Sequence, residues 1–244
     1  SDYMTIMDSI IILFLLAGAV LGFKKGAIKS LVALVGTIAL VVIAYYLKNP
    51  VADIMFNFVP FVNFAGKWAG LVTLNILLYE SLAYILVFVV LSSILSIFIK
   101  VSGIIEKILN ATIILGIPSK IIGAVLGFLE AVVFGFIVLF ALVQFNATNE
   151  LVMESSMAKS ILSKTPIINI MVNDTYKAIQ DIGALQDKYK DVTNKDDYNA
   201  EILDIMLNYE VVTPEVTEKL IENKKLDFNG AKETLNKYKE KNND

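Results

Sequence analysis

The chain has 244 residues, of which 56% are hydrophobic, and carries a formal net charge of −3. It contains no His and no Cys, and all 21 basic residues are Lys. This composition excludes disulfides, thiol chemistry, the usual zinc sites, and both Ser-His-Asp and Cys-His nucleophile systems. The sequence also lacks a glycine-rich phosphate loop and a basic nucleic-acid patch. We therefore expect no catalytic residue, no metal, no cofactor and no nucleic-acid partner.

Apolar residues dominate the first part of the chain and polar residues dominate the second. Four apolar stretches are long enough to cross ~30 Å of hydrocarbon, which takes about 20 helical residues. They lie at 7–23, 27–47, 81–99 and 121–145. We predict an all-α membrane protein, with a four-helix transmembrane domain over residues 1–145. A polar, mostly helical, extracytoplasmic domain is predicted over residues 146–244.

Three lysines, Lys24, Lys25 and Lys29, cluster at the short turn between the first two spans. The positive-inside rule places such a cluster in the cytoplasm. The N-terminus is then outside, and the parity of the spans places the C-terminal region outside as well. A cleaved signal peptide carries positive charge before its apolar run, and none precedes the first apolar run here. We therefore expect that span to stay in the membrane. The prediction is a multi-pass cell-membrane protein with both termini extracytoplasmic.

The segments between and after the spans are less regular. Residues 51–70 are aromatic but broken by Pro and Gly, which favours an interfacial or shallow re-entrant segment. Residues 101–120 are predicted to form a short cytoplasmic amphipathic helix and a Pro-marked entry to the fourth span. Helices of the polar region are predicted at 149–162, at 167–182 with Gly183 as the stop, at 198–207, from Thr213-Pro214 onward, and at 230–239.

Glycines repeat at four-residue spacing in two of the spans. They are Gly18, Gly22 and Gly26 in and after the first span, and Gly123 and Gly127 in the fourth. Residues at this spacing lie on one helical face, where the missing side chains let a second backbone approach closely. Tight packing within the bundle is the favoured interpretation. A dimer face and a moving seam are the alternatives, so a homo-oligomer stays open.

Glu130 lies ten residues after the lysine that opens the fourth span, or ~15 Å along a helix. A carboxylate at this depth usually faces the protein interior. Thr37, Ser92 and Ser93 lie at similar depth, so we predict one intramembrane polar layer. No Lys sits at this depth, so a protonated Glu130 bonded within the bundle is expected. It either fixes packing or responds to protons or ions. Glu80, in contrast, is expected to be hydrated at the outer interface.

Several segments resemble the CvpA family, the colicin V production proteins. The matching stretches are Asp8-Ser-Ile-Ile-Ile, Gly22-Phe-Lys-Lys-Gly-Ala-Ile-Lys-Ser-Leu, Ile117-Pro-Ser-Lys-Ile-Ile-Gly-Ala-Val-Leu-Gly and Glu154-Ser-Ser-Met-Ala-Lys-Ser-Ile-Leu-Ser-Lys-Thr-Pro. The resemblance covers residues 4–168, with Lys25 where many members carry Arg. It implies a bacterial inner-membrane protein linked to colicin V production, a toxin biosynthetic process, or its export, and to the cell envelope. It implies no agreed catalytic residues.

The function that these observations favour is non-enzymatic support of colicin V or toxin production or export and of envelope homeostasis. The expected partners are the lipid bilayer and other membrane or envelope proteins, which the chain would scaffold or join in a small passage. The alternative is a channel or transporter subunit that uses the polar layer around Glu130. An intramembrane enzyme has little support, because only one carboxylate sits at depth and no metal ligands accompany it.

Overall fold

The computed structural model describes residues 4–112, 116–143 and 146–241. Within these ranges, side chains are described except at 110–112, 146, 147, 149, 166–173, 240 and 241. Every regular element in the described part of the chain is helical. The helices are α1 (Ile6–Lys25), α2 (Ala27–Phe58), α3 (Leu74–Thr112), α4 (Gly116–Val143), α5 (Asn146–Met153), α6 (Ser156–Lys164), α7 (Pro166–Lys188), α8 (Asp196–Asn208), α9 (Pro214–Glu222) and α10 (Ala231–Lys241), with one 3₁₀ turn at Gly66–Trp68.

The first four helices are long and apolar enough to cross a membrane. Their most apolar windows have mean hydropathies between 2.4 and 2.8. Many of their large apolar side chains point outward and stay exposed in the protein itself, as surfaces covered by lipid require. The predicted fold class, an all-α membrane protein with four spanning helices, is confirmed. The extracytoplasmic orientation stays a prediction.

Helices α2 and α3 are longer than the sequence pattern predicts. Pro50 lies inside α2, which continues to Phe58, so the irregular segment is shorter than the predicted residues 51–70. A proline removes one backbone hydrogen bond, and membrane helices tolerate this loss when neighbouring groups compensate. The separate amphipathic helix predicted within 101–120 is wrong, because α3 continues to Thr112. Gly103 does not break α3, since its backbone remains helical.

The turn between α1 and α2 follows from its local sequence. Thr5 caps α1 and forms a capping box with Asp8. Gly26 then ends the helix with φ 83°, a left-handed conformation that a residue without Cβ adopts at little cost. Lys24 and Lys25 lie in the last turn of α1, where positive charge interacts favourably with the helix dipole. The two helices are therefore joined by a single non-helical residue.

The polar region begins with two short helices rather than one. The helix predicted over 149–162 divides into α5 and α6, because Ser155 caps α6 by accepting a hydrogen bond from the Ala158 amide. Gly183 does not stop α7, which continues to Lys188. A lone glycine costs a helix only about 1 kcal/mol relative to Ala. The predicted start at Thr213-Pro214 is confirmed, with the Thr213 hydroxyl accepting from the Val216 amide.

The chain divides into two compact units that alternate along the sequence. The first comprises Ser1–Ala44 and Phe88–Met171, and the second comprises Tyr45–Val87 and Val172–Asp244. In the second unit, Phe56, Leu71 and Ile76 share one buried core with Ile202 and other residues of the C-terminal helices. That core therefore draws on both sides of residue 145. Whether residues 146–244 fold independently stays a prediction.

Candidate functional site

Helices α1 and α4 touch through their backbones at a glycine seam, formed by Gly18, Gly22, Gly123 and Gly127. A Cβ on Gly22 would overlap the Gly123 carbonyl oxygen and lie 2.8 Å from the Gly127 Cα. A Cβ on Gly127 would likewise overlap the Gly18 carbonyl oxygen. Gly26 extends the seam, because a Cβ on Gly123 would lie 3.0 Å from its Cα. The structure thus brings together all five glycines singled out by their spacing.

The register of the seam shows that α1 and α4 are antiparallel. Gly18 lies opposite Gly127 and Ala131, whereas Gly22 lies one turn nearer the start of α4, opposite Gly123 and Gly127. Later residues of α1 therefore face earlier residues of α4. Such close approach maximises dispersion contacts, which drive helix association where no hydrophobic effect separates protein from lipid.

Glu130 forms an ion pair across this contact. The Lys25 Nζ lies 3.2 Å from the Glu130 Oε2, and the two side chains are 27% and 13% exposed. The expectation that no cation reaches Glu130 is therefore wrong. Helical side chains tilt toward the N-terminus of their own helix. In an antiparallel pair, the lysine and the glutamate consequently reach toward each other, and together they cover an offset of about two turns.

The described hydrogen bonds do not connect the four residues of the predicted polar layer to one another. Thr37 is buried, but Ser93 is exposed, and its hydroxyl donates to the Val89 carbonyl of its own helix at 3.0 Å. Ser92 is half-buried. Among the described residues, Glu130 hydrogen bonds to Lys25 and to none of the three predicted hydroxyl side chains. The shared depth of these four residues stays a prediction.

Glu106 caps the start of α2 from a different helix. Its carboxylate is buried, and Oε1 accepts from the Ser119 hydroxyl at 2.5 Å while Oε2 accepts from the Lys29 amide at 3.0 Å. The Ser119 Oγ in turn accepts from the Ala27 amide at 3.0 Å. A negative charge at a helix N-terminus is stabilising. Gly26 permits the arrangement, because a Cβ there would overlap the Glu106 carboxylate.

Sequence reasoning missed this role of Glu106, although one signal for it exists. Helix α2 follows Lys25-Gly26 directly and has no Ser, Thr, Asp or Asn at its own start. Free amide groups at a helix N-terminus need acceptors. The absence of a local cap therefore predicts that a more distant residue supplies the acceptor, but it does not identify that residue.

A second missed ion pair joins α2 and α3 within the second unit. The Lys48 Nζ lies 2.9 Å from the Glu80 Oε2, and these side chains are only 13% and 9% exposed. The expectation that Glu80 is hydrated is therefore wrong. In the part of the chain that the structure describes, no group of three or more Asp and Glu side chains is arranged to hold a metal ion.

Lysines from the turn between α1 and α2 and from helices α3 and α4 surround one cavity, which we name the lysine pocket. The cavity has a volume of about 290 Å³. Its lysines are Lys24, Lys25, Lys29, Lys100, Lys107 and Lys120. The three lysines predicted to set the topology thus meet three others, from α3 and from the start of α4. Glu106 also lines the pocket.

Four apolar helices long enough to span a membrane, with ion pairs and helix caps between them, define a multi-pass helical membrane protein. The model of the family described as colicin V production protein matches residues 7–171, and the chain belongs to that family. The matched range includes Asp8, Glu106, Ser119, Glu130 and Ser155.

A relative in Bacillus subtilis (strain 168), the uncharacterized transmembrane protein YshB, is 26% identical over 176 residues. The alignment covers 70% of this chain and 97% of the relative. No solved structure shows a significant match.

Proposed function

We infer that this protein supports colicin V or toxin production or export, and envelope homeostasis, as a non-catalytic scaffold in the bacterial cell membrane. The observation that carries this proposal is the engagement of four carboxylates within the spanning helices. Glu80 and Glu130 are held in ion pairs, and Asp8 and Glu106 accept hydrogen bonds at helix N-termini. Groups held this way fix helices against one another and are not poised to react with a substrate.

The proposed topology places both termini outside the cell. Its support is the lysine pocket, since Lys24, Lys25 and Lys29 at the turn between α1 and α2 line the same cavity as three lysines of α3 and α4. Six lysines gathered around one cavity agree with a cytoplasmic location under the positive-inside rule. Cysteine labelling tests this directly, because the native chain has no Cys. A Lys224→Cys variant should react with an impermeant reagent in intact cells, and Lys24→Cys should react only after lysis. The reverse pattern would contradict the topology.

The scaffold proposal itself is tested by crosslinking in the native membrane combined with flux measurements. A photoreactive residue at exposed positions of α9 should capture defined membrane or envelope proteins. Liposomes containing the purified chain should remain as impermeable to protons and small ions as liposomes without protein. A flux that Glu130→Gln abolishes would overturn the scaffold and favour a pathway through the membrane.

A channel or transporter subunit is the second candidate. The Lys25–Glu130 pair favours it, because charged residues within spanning segments commonly mark ion pathways and proton relays. The pair retains some exposure. Against this candidate, no described hydrogen bond connects Glu130 to the hydroxyl groups that would extend such a pathway. The flux assay on wild-type and Glu130→Gln liposomes separates the two candidates.

A further inference from the structure

The lysine pocket carries a positive charge that the described residues do not neutralise. Lys25 is paired with Glu130. Among the described residues, no carboxylate oxygen lies within 4.0 Å of the ammonium nitrogen of the other five lysines. Like charges held around one cavity repel each other, and the repulsion is strongest where water is scarce. The pocket is therefore suited to an anion.

The single carboxylate that lines the pocket does not serve as that anion. Both oxygens of Glu106 are engaged, one by the Ser119 hydroxyl and the other by the Lys29 amide. Its side chain is buried at the start of α2. Lys24, Lys100, Lys107 and Lys120 are exposed, so their ammonium groups are free to reach a ligand in the cavity.

The surroundings of the pocket are apolar and uncovered. Ile104, which lines it, is 61% exposed, and Ile117 and Ile121 beside Lys120 are 71% and 56% exposed. Phe23 is 43% exposed and lies beneath the Lys120 ammonium, 5.6 Å from ring centroid to nitrogen. A soluble anion would leave these side chains without a partner, whereas a lipid would cover them with its acyl chains.

We propose that the lysine pocket binds the phosphate headgroup of an anionic phospholipid, whose acyl chains lie along the exposed isoleucines. Basic pockets between spanning helices are known to accept anionic lipid headgroups. The volume of about 290 Å³ lies just below the range of pockets for drug-sized ligands, about 300–1,000 Å³, as a small headgroup requires. The headgroup would bridge the turn between α1 and α2 and the lysines of α3 and α4.

Native mass spectrometry of the full chain, released from a neutral detergent, tests this proposal with dioleoylphosphatidylglycerol as the probe. The wild type should retain this lipid in preference to dioleoylphosphatidylcholine. Each lysine near an anionic lipid strengthens binding about fivefold, so Lys100→Gln, Lys107→Gln and Lys120→Gln combined should weaken it about a hundredfold. Arginine at the same three positions should preserve binding, because the charge remains.

The matched control replaces three exposed lysines outside the pocket, Lys159, Lys164 and Lys224, with Gln. This variant should bind phosphatidylglycerol as the wild type does, and all variants should unfold at the same temperature without added lipid. Equal loss of binding in the control, or unchanged preference in the pocket variant, would overturn the proposal. If sn-glycerol 3-phosphate displaced the lipid completely at equal concentration, the pocket would recognise soluble phosphate, and the lipid assignment would be wrong.

Discussion

The Asp8 carboxylate accepts a hydrogen bond from the Ser155 hydroxyl at 2.5 Å, across 147 positions of the chain. Its Oδ1 also accepts from the Met157 amide at 3.1 Å, while its Oδ2 accepts from the Thr5 amide and hydroxyl. One buried side chain thereby serves the N-termini of both α1 and α6. Asp8 therefore connects the N-terminus of α6, in the polar region, to the N-terminus of the first spanning helix, α1.

Replacing Asp8 with Asn should destabilise the protein, because an amide has only one acceptor oxygen for these four donors. Its NH₂ group would face donors on one side, and a buried group left unsatisfied costs about 1–3 kcal/mol. Ser155→Ala should cost about 1 kcal/mol through loss of the α6 cap. Thermal unfolding in detergent measures both effects. The exposed Ser163, whose described hydrogen bond goes to the Ser160 carbonyl of its own helix, supplies the control Ser163→Ala. An equal loss of stability there would contradict the bridging role.

Large side chains at the glycine seam should separate α1 from α4. Gly22→Leu and Gly127→Leu each place a side chain against backbone atoms, and overpacking costs typically ~1–3 kcal/mol or more. Gly183→Ala is the matched control, since no described atom outside its own stretch of helix lies within 4 Å of the added Cβ. It should leave stability unchanged or raise it by up to about 1 kcal/mol through helix propensity. Equal melting temperatures for all three variants would refute close packing.

The spanning helices were predictable from the sequence, whereas the polar contacts between distant segments were not. A hydrocarbon environment demands long apolar helices, so hydropathy alone marks α1 to α4. Four-residue glycine spacing also marks a face of close approach, without identifying the partner. The partners of Asp8 and Glu106 depend on tertiary contacts between distant segments, which no local pattern encodes.

The Lys25–Glu130 pair shows a second reason why contacts could not be predicted from the sequence. Counting residues along each helix gives the depth of a Cα atom, and by that measure the two residues lie about two turns apart. Side chains add several ångströms in a direction that depends on helix polarity. The two side chains point toward each other only because α1 and α4 are antiparallel, which the sequence does not reveal.

Replacing one partner of the Lys25–Glu130 pair should lower the stability of the protein more than exchanging the two charges does. Glu130→Lys leaves two cations together, and Lys25→Met leaves an unpaired carboxylate. Removal of one partner from a fully buried pair costs about 3–5 kcal/mol, and the partial exposure of this pair reduces the loss. The double variant Lys25→Glu with Glu130→Lys should regain stability relative to Glu130→Lys alone. No regain in thermal unfolding would mean that the two side chains do not interact.

Glu130→Gln separates a structural role from a functional one. The variant keeps a hydrogen-bonding group of similar shape but cannot exchange a proton. If Glu130 only holds α4 against α1, the variant should assemble and retain cellular function with slightly reduced stability. Normal assembly with complete loss of function would instead support the channel or transporter interpretation.

The stability of the C-terminal helices α8 to α10 should depend on the side chain of Phe56. Its side chain is 1% exposed in the core of the second unit, with its ring 6.0 Å from that of Tyr79 and nearly perpendicular to it. Phe56→Ala should destabilise this core by about 3–5 kcal/mol, as large-to-small core changes do. Limited proteolysis of the full chain in detergent should then cleave α8 to α10 much faster than in the wild type.

Phe58→Ala is the matched control, because that ring is 83% exposed only two positions away. It should leave proteolysis unchanged. Residues 146–244 expressed alone should remain helical by circular dichroism but melt without a sharp transition, since Phe56, Leu71 and Ile76 would be missing from their core. A sharp transition in the isolated region, together with unchanged proteolysis of Phe56→Ala, would mean that these helices fold without the segment before residue 146.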